Sequence, residues 1–305
     1  VKWFVDSVFR AFGWLPQGGA VLIGRFLGWT IHRLVRFRVR TVRQQLAQAF
    51  PELPPAQQEQ LLCGFYRHLG LLLVETLRLP RMSARAVLDC CTLRDVQYLD
   101  SVLAEGQGAL VLAAHMGNWE LGLAALSRSG HKSYAIVKEI KGSTGDYALK
   151  QLRQAHGVIP LPRTRSLRQI VQVLCGGGAI GFVLDQNMTA DEGVFVDFFG
   201  RPACTMPGLA VLAHRYHVPV LPICFRRNPD LRTHEVRFLP PIPWESLGGS
   251  LQADIRHNTQ RYTSTLEDLI RQCPAQWLWI HKRWRTQPLP GTDTDAPLPQ
   301  PLQEP

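Results

Sequence analysis

Residues 110–121 read LVLAAHMGNWEL, an apolar run closed by a histidine and, five positions later, a glutamate, with Gly-Asn-Trp between them. Leu110 to Ala114 carry no polar side chain, as in a strand covered on both faces. Residues five apart on one helix point about 140° away from each other. On one strand, odd spacing puts them on opposite faces. Neither regular element brings His115 to Glu120. A strand ending at His115, a turn through Met116-Gly117-Asn118 and a helix beginning near Trp119 can do so. Gly117 and Asn118 suit that turn because both tolerate a left-handed backbone.

The same alternation continues down the chain. Strands are expected at Ala109–Ala114, Tyr134–Lys138, Ala179–Leu184, Val194–Phe198, Val218–Phe225 and Glu235–Leu239, with helices near 119–130, 145–156, 166–175 and 206–217. The helix at 166 starts on a serine cap and stops at Gly176-Gly177-Gly178. Further helices are expected from Pro55 to Leu79 and over 253–272. This pattern predicts an α/β fold: a mostly parallel central sheet covered by helices on both faces. In such a sheet, ligands bind at the carboxyl ends of the strands, where His115 falls.

The chain divides into a segment 1–45, a main domain 46–286 and a tail 287–305 with six prolines in 19 residues, expected to be disordered. The first segment is rich in Trp, Phe, Leu and Val. Its longest uncharged run, Ala11 to Gly24, has 14 residues and contains Pro16, short of the roughly 20 that span a bilayer as a helix. Arginines 25, 33, 36, 38, 40 and 43 follow, with no acidic residue between Asp6 and Glu52. Aromatics beside a basic stripe predict a helical segment lying in a membrane interface. The alternative is a core helix followed by a solvated basic one.

The formal charge of +10 over 305 residues favours acidic partners: nucleic acid, an anionic membrane, a phosphorylated substrate or an acidic carrier protein. Nucleic acid is the weakest of these, since the arginine cluster adjoins apolar sequence and no nucleic-acid motif is present. Seven cysteines without a CxxC pair argue against a disulfide framework or structural zinc site and for a reduced compartment. They read as small core residues.

A carboxylate bonded to one imidazole nitrogen fixes the tautomer and leaves the other nitrogen as a general base. With no serine or cysteine nearby, the pair suits direct deprotonation of a substrate hydroxyl, whose oxygen then attacks an activated acyl group. Backbone N–H groups at the start of the next helix would hold the oxyanion. Spacing alone leaves a second reading open, a core histidine beside an unrelated helix-start glutamate. A catalytic zinc is disfavoured by the absence of HEXXH and of a third ligand at metal spacing.

At AAHMGNWEL the sequence resembles the bacterial lipid A late acyltransferases, the lauroyl and myristoyl transferases within the wider glycerolipid acyltransferase superfamily. LPRTRSLRQIVQVLCGGGAIGFVLDQN, GVFVDFFGRPACTMPGLAVLAHRYHVPVLP and QCPAQWLWIHKRWRTQP follow in the family's order, and RFRVRTVRQQLAQAFPEL resembles its post-anchor region. The resemblance covers roughly residues 30 to 287. It implies a catalytic pair at His115 and Glu120, an acyl-thioester donor carried by acyl carrier protein, and a hydroxyl acceptor on a phosphorylated glucosamine disaccharide lipid. It also implies work at the cytoplasmic face of the inner membrane, with no metal or bound cofactor. The family's spanning N-terminal helix is not matched here, because charge and proline break the first segment.

Further residues carry over as substrate-binding candidates. Asn118 and Trp119 shape the turn or the acyl pocket. Arg153 is placed near acceptor phosphate or thioester, although a solvated helix arginine fits equally. Asp185 and Gln186 end a strand on the active side, where Asp185 is the alternative to Glu120 as partner of His115 or a substrate ligand. Asp197 and Arg201 are candidates as well, Arg201 also as a structural ion pair. His214 and His217 read as helix-end residues, and the Trp-rich stretch 277–285 as apolar anchoring with a basic surface. The nearest rival function is acyl-CoA-dependent acylation of another glycolipid such as a phosphatidylinositol mannoside. A more distant one is a catalytically silent membrane-binding protein.

Overall fold

The computed structural model describes residues 2–106, 108–137, 144–162 and 167–288. In chain order they form α1 (Lys2–Gly13), α2 (Gln17–Thr30), a π-helical turn (Ile31–Val35), α3 (Val39–Ala49), α4 (Pro55–Arg78), α5 (Ala84–Asp89), β1 (Cys91–Arg94), α6 (Gln97–Ala104), β2 (Ala109–Ala113) and α7 (Trp119–Arg128). Then come β3 (Ser133–Val137), α8 (Thr144–Gln154), β4 (Ile159–Pro162), α9 (Leu167–Cys175), β5 (Ala179–Val183), β6 (Val194–Asp197), β7 (Pro202–Thr205), α10 (Gly208–Tyr216), β8 (Val220–Arg227), β9 (His234–Phe238) and α11 (Leu251–Gln272).

The expected mostly parallel sheet flanked by helices is present. Seven strands lie in the order β1-β9-β8-β2-β5-β3-β4. All neighbours pair in parallel except β8 and β9, so the β9–β1 edge runs against the rest. β2 is central and buried at every residue. Its period of two splits the core: Leu110 and Leu112 pack with α3, α4 and α11, and Ala109, Val111 and Ala113 pack with α6 and α7.

Three details differ from expectation. β1, β4 and β7 are not among the expected strands; each has four residues, too few to give a periodic signal. The strand expected over Val194–Phe198 is not in the main sheet; as β6 it forms a separate hairpin with β7. Cys175 is exposed, so not every cysteine is a core residue, although Cys91, Cys204 and Cys224 are buried. The serine expected to cap α9 and the tail from 289 onward lie outside the described residues.

α1 and α2 pack on α4. The α2–α4 contact is backbone to backbone, because a side chain at Gly70 would collide with the main chain of Gly24 and Gly28. α2 buries its glycine face and leaves Leu22, Phe26 and Trp29 exposed. Among the described residues, no helix is long and apolar enough to cross a membrane.

Candidate active site

β2 and β5 are parallel neighbours in register, with Ala113 opposite Val183. Two residues beyond each partner, the chain carries His115 and Asp185. This register brings the imidazole and the carboxylate together at the carboxyl end of the sheet. His115 Nδ1 lies 2.8 Å from Asp185 Oδ1, and the His115 backbone N–H donates to Oδ2 at 2.8 Å. Trp277 Nε1 donates to the same Oδ2 at 2.6 Å. Facing a carboxylate, Nδ1 is the protonated nitrogen of the neutral ring. Nε2 makes no hydrogen bond to a described residue, and the side chain keeps 21% of its surface exposed.

The hydrogen bond expected between Glu120 and His115 is therefore made by Asp185 instead. Glu120 is the second residue of α7, and its carboxylate turns sideways to α8. There Arg153 grips it through Nε at 3.1 Å and Nη2 at 2.7 Å, while Trp119 Nε1 donates to Oε1 at 3.1 Å. Both partners are buried, so Arg153 is no solvated helix arginine. Its remaining amino group, Nη1, is buried without a hydrogen-bond partner among the described residues, and Arg153 lines the same cavity as His115.

Burial works against a charged His115. The Asp185 carboxylate outweighs it, so the imidazole pKa is raised above its ordinary 6.5. For Asp185, burial pushes the carboxyl up, but His115 and the donated hydrogen bonds win and hold it down at about 2.

The turn carrying His115 is fixed from beneath. Gly117 has φ +58°, and a side chain there would run into the Phe225 carbonyl. Asn118 caps α7 by accepting from Leu121 N at 3.1 Å, and its Nδ2 donates to Glu75 Oε2 at 2.8 Å. Glu75 is paired with Arg227 through both carboxylate oxygens, entirely inside the protein. Arg227 Nε donates to His68 Nδ1 at 3.4 Å, so His68 carries its proton on Nε2 and gives it to the Gly117 carbonyl at 3.2 Å. Burial and Arg227 hold the His68 pKa down at about 3, so the ring stays neutral. Burial raises the Glu75 carboxyl, but Arg227 and His234 bring it well below the usual carboxylate range.

A narrow cavity of about 100 Å³ opens beside His115, between α7 and the sheet. Val111, Ala113, Gly181, Leu123 and Phe225 give it an apolar wall, and Trp119 meets the His115 ring edge to face with centroids 5.1 Å apart. Gln186 reaches within 3.5 Å of His115 Nδ1. Asp197 and Arg201 are not part of this constellation. They sit at the β6–β7 hairpin, where Asp197 accepts from Gly200 N at 2.8 Å, and they do not line the cavity. His214, in the last turn of α10, packs against Trp244 with the rings tilted by 40° and centroids 4.8 Å apart. Among the described residues, one trio could share a cation: His32, Glu59 and Cys63, within 4.8 Å of one another and without His115. Glu59 there already pairs with Arg43.

Sequence reasoning missed Trp277, Glu75, Arg227 and His68. The stretch WLWIHKRWR stands out by composition, but its composition reads as apolar anchoring with a basic surface. In the structure Trp277 and Trp279 are fully buried, and the first of them holds Asp185.

A parallel-sheet α/β scaffold, with a carboxylate-held histidine at the strand ends beside a narrow apolar cavity, defines the class of protein: an α/β fold whose candidate site pairs an imidazole with a buried carboxylate. Comparison with known proteins narrows this. The model of the bacterial lipid A biosynthesis acyltransferase family matches residues 1–286, and the chain belongs to that family. It is thus an acyltransferase. It is 22% identical to the lipid A biosynthesis lauroyltransferase of Escherichia coli (strain K12), over 90% of this chain and 88% of the relative. The palmitoleoyltransferase of the same organism is 22% identical over 95% and 92%. A phosphatidylinositol mannoside acyltransferase of Mycobacterium tuberculosis (strain CDC 1551 / Oshkosh) is 26% identical over 80% and 76%.

Proposed function

We propose that this acyltransferase moves a fatty acyl chain from acyl carrier protein to a hydroxyl of a lipid A precursor at the cytoplasmic face of the inner membrane. The observation that carries the reading is His115, held at Nδ1 by Asp185 and free at Nε2, at the mouth of an apolar cavity. Nε2 takes the proton of the acceptor hydroxyl as its oxygen attacks the thioester carbonyl. The oxyanion is stabilised by the backbone N–H groups of Trp119 and Glu120 at the start of α7, since those of Leu121 and Gly122 already donate to Asn118. Arg153 Nη1, the orphaned donor on the cavity wall, is placed to assist. The C–S bond then breaks, and the imidazolium returns its proton to the thiolate. The acyl chain lies in the slot beneath α7.

Membrane association is supported by apolar side chains that no protein surface covers. Trp3 is 75% exposed, Trp14 87%, Leu22 67% and Phe26 66%. Burying such a surface in the headgroup region is favourable, and the exposed Arg25, Arg33 and Arg36 suit anionic lipid. The second reading keeps the chemistry and changes the substrates to acyl-CoA and a phosphatidylinositol mannoside; the mycobacterial relative favours it.

Mass spectrometry of the full chain with acyl-loaded carrier protein and a tetra-acylated lipid A precursor tests the first reading. One added acyl chain is expected with the natural chain and none with His115→Ala. Transfer only from acyl-CoA, and only to the mannoside, replaces the first reading with the second. Transfer to neither acceptor, with membrane binding retained by His115→Ala, leaves the silent membrane-binding protein.

A further inference from the structure

Beyond the Asp185 strand end, Asn187, Met188, Thr189 and Glu192, with Arg38, His281, Lys282 and Arg285, line a second cavity, of about 690 Å³, that the chemistry above does not use. Its cations are Arg38, Lys282 and Arg285, against one carboxylate, Glu192. Arg38, Lys282 and Arg285 form no ion pair with another described residue. The cavity is joined to the active site through the main chain: Asn187, two residues beyond Asp185, donates its backbone N–H to His281 Nε2 at 2.8 Å. That bond leaves the ring proton of neutral His281 on Nδ1 as a further donor. The same C-terminal segment donates Leu278 N–H to the His115 carbonyl at 2.9 Å.

Arg38 reaches the hollow from a strained stretch of backbone. It has φ +54°, as does Arg36, a conformation costly for residues other than glycine. The strained segment is pinned on both sides, by Tyr66 Oη donating to the Phe37 carbonyl at 2.6 Å and by Arg38 Nη1 donating to the Ile280 carbonyl at 2.8 Å. Immediately before it, Leu34, Val35 and Phe37 are exposed, continuing the apolar surface of α2. Uncovered apolar side chains therefore adjoin a basic hollow whose wall is tied, through Asn187 and His281, to the strand end that carries Asp185. A ligand with a hydrocarbon part, a phosphate and a hydroxyl matches that arrangement.

We propose that this hollow is the subsite for the headgroup phosphate of the lipid acceptor, with Arg38, Lys282 and Arg285 as its ligands. This rests on the reading of His115 as the base that deprotonates the acceptor. It gives the phosphate a site separate from the cavity beside His115, since the two share no lining residue.

The test compares the full chain with Lys282→Gln/Arg285→Gln, using one thioester donor and a phosphorylated glycolipid acceptor with and without its phosphate. The KM for the phosphorylated acceptor is expected to rise about tenfold or more in the variant, with kcat little changed and the dephosphorylated acceptor unaffected. Equal effects on both acceptors, or a rise confined to the KM of the thioester donor, would overturn the assignment. Calorimetric titration with inorganic pyrophosphate tests the hollow without catalysis. Saturable, salt-sensitive binding by the natural chain and its loss in the variant support the site even if no acceptor is acylated. No binding, or equal binding by both proteins, refutes it.

Discussion

Asp185 Oδ1 stands 2.8 Å from His115 Nδ1, and the same carboxylate takes the His115 backbone N–H and the Trp277 indole N–H through Oδ2. Three donors converge on one buried carboxylate, which fixes the imidazole in both tautomer and direction. Asp185→Asn keeps the shape but makes the wrong hydrogen bond to Nδ1. Turnover is expected to fall by about 10²- to 10⁴-fold, as for loss of a positioned base, with little loss of fold. Initial rates beside thermal unfolding of the same preparations check this.

Trp277→Phe keeps the buried ring and removes one donor from Asp185. We expect a loss in kcat of roughly tenfold, the scale of one hydrogen bond to a charged group, with acceptor KM unchanged. A KM effect without a kcat effect would place Trp277 in substrate binding instead.

The Glu75–Arg227 pair lies far inside the protein, and removing one partner strands the other charge. Glu75→Ala is expected to destabilise the chain by about 3–5 kcal/mol. It also frees Asn118 and the Gly117 turn, so residual activity should be low even below the melting temperature. Denaturant unfolding gives the first quantity and single-turnover rates the second.

Gly181, on β5, lines the cavity proposed to take the acyl chain, and a Cβ there meets only the Tyr134 carbonyl, at an ordinary 3.4 Å. Gly181→Val therefore fits the strand and projects two methyl groups into the slot. Competition between thioesters of increasing chain length should shift toward the shorter ones by about tenfold, the worth of one or two methylenes of apolar space. An unchanged preference would move the acyl chain elsewhere.

How much of this was legible in the sequence depends on which interactions are local. The strand–turn–helix at 109–128 was legible because its apolar run, its glycine turn and its asparagine cap are contiguous, and the parallel sheet followed from repeats of that unit. Asp185 could be named but not chosen over Glu120. That choice depends on β2 lying beside β5, a pairing between residues 70 apart in the chain. Nothing local to Glu120 announces that Arg153 holds it. The aromatic C-terminal stretch gave an ambiguous signal, since buried and membrane-facing tryptophans have the same composition. The Glu75–Arg227–His68 chain joins α4 to β8, and its residues are ordinary in both places.

The central claim is that Asp185, rather than Glu120, governs the protonation of His115, and the pH dependence of kcat/KM tests it most directly. The base must be neutral to act, and Asp185 raises its pKa, so activity should climb with pH through a midpoint above 6.5. In Asp185→Asn the residual activity should show that midpoint displaced downward, because burial then acts on the ring without the carboxylate that chiefly opposes it. In Glu120→Gln the midpoint should move much less. A midpoint unmoved in Asp185→Asn, or moved chiefly in Glu120→Gln, would contradict the account.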